Sequence, residues 1–227
     1  MSRRSTAILG ALALLGVLGG VASATILKEL TFEEIENCAR EAFVGTVLSV
    51  SFVEDDGPRK LIFTEVTFTN LRSLKGKFTS ATVKYRFAGG TVGDRTLKVI
   101  GVPRFTVGQR CFLFTNAELD RLCPAIGWWQ GRFLYRLDKE KTWRVHDSDG
   151  RPVYGLSKGR PVLKAPAPKS PGETPKPMTV ADFEERMGRV IAAGEERRKR
   201  ELEAAQDAEK TDPPEEDRPG ASTEVTK

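Results

Sequence analysis

The sequence predicts an all-β domain: a small antiparallel barrel of about five to seven strands, a short helix ahead of it, and a second helix beyond a Pro-rich linker. Three observations carry that expectation. Between residues 43 and 156, runs of alternating apolar and polar residues follow one another, punctuated by turn signals such as "EDDGPR" and "DSDG". Ahead of the linker, only residues 32–42 place apolar side chains at helical spacing. The first two strand candidates are long, which favours a barrel over a sandwich because a long strand can bend and serve both sides of a small barrel.

Taken in order, residues 1–24 read as a cleaved secretory signal, with Arg3 and Arg4, an apolar stretch from Ala7 to Val21, and small residues at Ala22 and Ala24. The stretch is shorter than the roughly 20 residues a membrane span needs. The mature chain is expected to begin at Thr25 and to be secreted or periplasmic. Thr31 and Glu34 form a capping box, in which each side chain satisfies a backbone N–H left free by the first turn. Phe32, Ile35 and Ala39 then support a helix to about Ala42, with Cys38 near its end.

At Phe43 the period changes to two. Val44 to Phe52 make the first strand, "KLIFTEVTFTNL" the second, and "SATVKYRFAGG" the third, with Val83, Tyr85 and Phe87 alternating against Lys84 and Arg86. "DRTLKVIG" is a fourth strand candidate and "GVPRFTVG" a connecting loop, while "QRCFLFT" is apolar enough to be central. "AELDRL" reads as a short helical loop, "AIGWWQGRFLYRLD" as a long strand bending at Gly131, and "TWRVHD" with "RPVYGL" as a last hairpin over "DSDG". The barrel domain is thus placed at residues 25–157. Residues 158–178 form the linker, whose Pro content makes it extended. A charged helix follows over 179–210, with Val180, Phe183, Met187, Val190 and Ile191 as an apolar stripe. Past Ala193 nothing apolar remains to hold it, so that part is expected to be separable. The Pro, Glu and Asp content of 211–227 predicts a disordered tail.

The formal net charge is +5, and residues 25–157 carry 20 basic against 16 acidic side chains. Nucleic-acid binding shows a larger excess gathered on one face, so nucleic acid is excluded as a partner. Three cysteines and one histidine match no zinc spacing, and no cofactor motif occurs. His146 has no thiol-protease signature around any cysteine, and Asp147 with Asp149 and Gly150 lacks the bidentate Glu of a calcium loop. No catalytic residue, metal or cofactor is therefore assigned. An odd number of cysteines outside the cytoplasm predicts one disulfide and one thiol left over. Loop closure favours Cys111 with Cys123, whereas strand geometry opposes that pair; Cys38 with Cys123 is the favoured bridge, leaving Cys111 as a buried thiol. Lys84, Arg86, Arg95 and Lys98 on neighbouring strands, with the adjacent Trp128 and Trp129, are the candidate ligand contacts. On a strand the two tryptophans would face opposite sides, one in the core and one exposed.

The motifs "FVGTV", "LKG", "AGGTVGD", "GVPRFTVGQRCFLF" and "GWWQGRF" resemble the pattern of a group of bacterial secreted proteins with no established activity. At greater distance, Cys38 before an apolar first strand, Lys75-Gly76 after the second and Val107-Gly108 before the central strand resemble the netrin-like modules and the tissue inhibitors of metalloproteinases. That resemblance implies an OB-type barrel. It does not bring the family's zinc-chelating N-terminal cysteine, because the mature chain is expected to start at Thr25. The expected function is a secreted, non-enzymatic, monomeric binding module for an extracellular or envelope protein or a glycan. Protease inhibition through a loop, "GGTVGD" or "EDDGPRK", is the alternative, and a thiol enzyme comes last.

Overall fold

The computed structural model describes residues 28–211 apart from 120, 169 and 171. The expected signal at 1–24 and, but for Thr211, the expected tail lie outside them. The protein is mostly β. Helix α1 spans Phe32–Cys38, and the strands are β1 Glu41–Glu54, β2 Ile62–Lys75, β3 Val83–Ala88, β4 Gly90–Val92, β5 Arg95–Leu97, β6 Arg110–Thr115, β7 Arg132–Leu137, β8 Trp143–His146, β9 Gly155–Ser157 and β10 Arg160–Val162, followed by α2 over Val180–Thr211. Six strands form one antiparallel sheet in the order β3-β2-β1-β6-β7-β8, and β4-β5 and β9-β10 are separate hairpins.

Among the described residues no ladder joins the end strands β3 and β8, so strand pairing does not close the sheet. It is nevertheless strongly curled. In a flat sheet β3 and β6, three strand spacings apart, would stand about 14 Å from each other, yet the Tyr85 hydroxyl lies 3.2 Å from the Thr115 hydroxyl. Residues 122–126 fill the gap: the Ala88 N–H donates to the Leu122 carbonyl at 2.7 Å, and the Ile126 N–H donates to the Phe114 carbonyl at 3.0 Å. A segment, rather than a strand pair, completes the wall.

Alternation along the strands makes two cores. Phe43, Phe68, Tyr85, Phe87, Cys111, Leu113 and Leu134 fill the inner face. Ala42, Val44, Phe112, Phe114, Phe133 and Tyr135 face outward, where α1 and α2 cover them. Phe183 of α2 is central to this second core, its ring 4.9 Å from that of Phe133, 5.5 Å from Phe112 and 6.1 Å from Phe32.

The capping box forms as expected, with the Glu34 N–H on the Thr31 hydroxyl at 3.2 Å and the Thr31 N–H on the Glu34 carboxylate at 2.8 Å. The helix ends at Cys38, four residues before the expected end, because Ala39 turns extended and the period-two burial of Ala42, Phe43 and Val44 already begins. "AELDRL" forms turns instead of a helix over its described residues. Trp128 and Trp129 lie on a 3-10 turn, Trp128–Gly131, so they do not face opposite sides of a strand, and neither is fully exposed.

Two features bear on the C-terminal part. The Pro-rich segment ends stitched into the fold: the Met178 N–H donates to the Val153 carbonyl at 2.7 Å, and the Val145 N–H donates to the Met178 carbonyl at 3.0 Å. Beyond Ala193, α2 is held by charge where apolar contact ends. Arg198 donates to the buried Glu36 carboxylate at 2.7 Å, Lys75 reaches the same group at 2.7 Å, and Arg197 donates to the Asn37 amide oxygen at 2.9 Å.

Candidate functional site

Beyond Val47, which still exchanges backbone hydrogen bonds with Gly108 and Gln109 at 2.9 Å each, β1 leaves the β6 side and continues paired with β2. Its far half, with the start of β2, forms one wall of a cleft. The opposite wall is the chain that follows β3. At Gly90, with φ +140°, this chain crosses Phe52 so closely that a Cβ would stand 2.6 Å from the ring, which only glycine tolerates. The β4-β5 hairpin and the loop 98–109 follow.

That loop is held from beneath by Phe105, 4.6 Å from Phe87 and 5.5 Å from Phe68. The Arg132 guanidinium stacks 4.4 Å over Phe105 and donates to the Gln109 side chain at 2.6 Å. Arg132 is only 2 % exposed, and burial pushes its pKa below the ordinary guanidinium value. At the apex Gly101, φ +86°, rests against the rings of Trp129 and Trp128, which a Cβ would approach to 2.7 and 3.2 Å. Ile100 beside it is 87 % exposed.

Between the walls lies a cleft of about 400 Å³. Val50, Phe52, Val99 and Val102 supply apolar surface, and Lys98 and Arg104 supply positive charge. No acidic residue lines it, and neither cation meets a carboxylate among the described residues. Both also line the hollow on the other side of the loop, together with Trp129 and with Asp149, which pairs with Arg151 at 3.4 Å.

Of the residues singled out from sequence, Lys98 lines the cleft and Trp129 the hollow behind it, whereas Trp128 packs against the inner core. Lys84 and Arg86 point outward from β3 and share Glu65, each at 3.1 Å. Arg95 pairs with Glu54 and donates to the Lys60 carbonyl at 3.1 Å. Those three charges are compensated locally. Arg104 and Arg132 were missed. Arg104 had a signal, since "GVPRFTVG" places a cation between Pro and Phe in a loop with glycine at each end. Arg132 also had one: it precedes Leu134 by two positions on an apolar strand, hence shares its inward face.

No disulfide joins Cys38 to Cys123 among the described residues. Cys38 is exposed at the end of α1, on the helical side of the sheet, whereas Cys123 is buried in the inner core and its thiol lies 3.7 Å from the Ala125 carbonyl. Cys111 with Cys123 is not bonded either. The bridge Thr115↔Ala125 places Cys123 past the end of β6, whereas Cys111 lies near its start, opposite Leu134. Burial pushes the Cys111 thiol up to about 12. His146 pairs with Leu134 and Leu134 with Cys111, so their backbones are two strand spacings apart, about 10 Å, and no hydrogen bond joins the two side chains among the described residues. Asp147 is occupied by the turn, accepting from the N–H groups of Asp149 and Arg151 at 3.0 and 2.8 Å. No group of three metal-type ligands gathers among the described residues, and no described helix is long and apolar enough to cross a membrane.

No protein-family model, no curated protein and no solved structure matches this chain.

Proposed function

We propose that the chain is a secreted, non-enzymatic binding module of OB-like build whose contact surface is the cleft between the far half of β1 and the loop 98–105. One observation carries this reading: Lys98 and Arg104 stand unpaired at the rim of an apolar cleft, while Lys84 and Arg86 share Glu65 and Arg95 pairs with Glu54. An unmatched pair of charges over apolar surface is a feature of recognition sites. Supporting it, the loop that presents them is clamped by Arg132, Phe105 and the two tryptophans, which lowers the ordering cost of binding. The test is retention of envelope material by the immobilised chain and by a Lys98→Glu/Arg104→Glu variant. Both side chains are exposed, so the variant keeps the fold. Components held by the wild type and lost by the variant are expected; identical retention by both would remove the cleft from the function.

A second reading has its own observation. Ile100, 87 % exposed at the apex of a clamped loop, presents an apolar side chain as a protease-inhibiting loop would. The two loops suggested by sequence are less free: residues 90–97 are tied into the β4-β5 hairpin, and Asp55 closes the 54–60 turn by accepting from the Leu61 N–H at 2.8 Å. Equimolar inhibition of a secreted metallo- or serine protease, abolished by Ile100→Asp, would replace the first reading with this one.

A further inference from the structure

We propose that the cleft takes an anionic amphiphile, a ligand with one carboxylate, phosphate or sulfonate head and an apolar body. The inference rests on the reading of the cleft as the contact surface and narrows it to a ligand class.

The polar inventory of the walls decides between classes. The hydroxyls that line the cleft are partly engaged: the Thr64 hydroxyl donates to the Gly89 carbonyl at 2.7 Å, and the Thr91 and Thr96 hydroxyls bond each other at 3.0 Å, each keeping acceptor lone pairs. The backbone at the cleft's edge is engaged as well, with the Ala88 N–H on Leu122 and the Gly89 N–H on the Ile62 carbonyl at 2.8 Å. The charged groups of the cleft are Lys98 and Arg104, which only donate and meet no carboxylate among the described residues. A sugar presents donors and acceptors over its whole surface and would leave many of them facing Val50, Phe52, Val99 and Val102, which offer no partner. A cationic ligand would meet two like charges and no carboxylate. An anion satisfies both cations with charge-assisted hydrogen bonds, and its apolar body covers Val50, Val99, Val102 and the face of Phe52, which is 50 % exposed. A volume of about 400 Å³ is at the low end of small-molecule sites.

This head-and-body chemistry has two sources, a free amphiphile or the anionic headgroup and upper chain of a bilayer lipid. The experiment separates them. Decanoate, decanol and decyltrimethylammonium are titrated as monomers against the purified chain by saturation-transfer NMR, with Lys98→Gln/Arg104→Gln and Phe52→Ser variants alongside, and cosedimentation with phosphatidylglycerol vesicles is run in parallel. For the wild type, decanoate binds at least about tenfold more tightly than decanol, the increment of one charge-assisted contact, and the ammonium compound does not compete. The double variant binds decanoate and decanol equally, and Phe52→Ser weakens both. Binding of monomeric decanoate without cosedimentation assigns the cleft to a free ligand; cosedimentation lost in the double variant assigns it to a lipid headgroup. Equal affinity for decanoate and decanol in the wild type, an unchanged preference in the double variant, or neither binding nor cosedimentation overturns the proposal. If the charge-reversed variant still loses envelope material in that last case, the cleft keeps its function and only the ligand class falls.

Discussion

At the scale of single residues, Glu36 is a charge buried beneath α2. It is fully buried and meets Lys75 and Arg198, each at 2.7 Å. Burial opposes its ionisation, but the hydrogen bonds from Arg198 and Lys75 outweigh that and hold its pKa below the ordinary 4.5. A carboxyl depressed in the folded state stabilises above its unfolded pKa, and that stability is lost as the pH falls toward the folded value. Glu36→Gln is therefore expected to cost about 3 kcal/mol near pH 7, the lower end for breaking a buried pair. In urea titrations the difference from wild type should close below pH 4.5; a gap independent of pH would mean that shape, not charge, matters there. The position was legible in the sequence, since Glu36 follows Phe32 by four and precedes Ala39 by three, which puts it on the apolar face of α1. Gly194 was legible only as an oddity in a helix-favouring run. Its reason is tertiary: a Cβ there would overlap the Glu36 carboxylate. The cysteines supply a second test at this scale. Native protein is expected to react with one equivalent of a thiol reagent, at exposed Cys38, and with three after denaturation, because Cys111 and Cys123 are 0 % and 1 % exposed. A Cys38-containing disulfide in the purified protein would contradict that.

At the scale of elements, α2 shows why sequence and structure part ways beyond Ala193. The apolar stripe was read correctly, and Phe183, Met187 and Ile191 are 0 %, 0 % and 3 % exposed. What composition hides is the partner of a charge. "EERRKR" presents charge on every side of a helix, and only the placement of α1 shows that Arg197 and Arg198 face a buried carboxylate while residues 201–208 stay exposed. Two truncations separate these stretches. Ending the chain after Ala193 leaves Glu36 without Arg198 and is expected to lower the thermal midpoint by more than about 5 °C, since ~1 kcal/mol moves a domain of this size by a few degrees. Ending it after Lys199 should change the midpoint little. Equal midpoints for the two would show that the charged contact adds nothing to the apolar one. The same limit explains the loop 98–109: its two glycines and one proline announced a connection, but that the connection becomes a wall follows from Phe105 and Arg132, which are distant in sequence and meet only after folding.

At the scale of the whole molecule, the period-two runs were enough to give the antiparallel β class and the long first hairpin, because alternation records which side of a strand is buried. The manner of closure was not readable in that way. It depends on residues 122–126, which have no alternation of their own and take their place by bonding Ala88 on one side and Phe114 on the other. Local pattern cannot report a contact that two other elements define. The outer core raises a question of timing. Its ring cluster draws on Phe32 and Phe112 early in the chain and on Phe183 late, and the carboxylate beneath α2 waits for a partner 162 positions downstream. A chain made from the N-terminus has the whole six-stranded sheet once His146 is complete, but the ribosome must add some fifty more residues before Arg198 exists, about 3–10 s at ordinary elongation rates. Through most of that interval the nascent sheet has only α1 over its aromatic face, so it should be held as an adhesive, chaperone-binding intermediate until its last helix is synthesised.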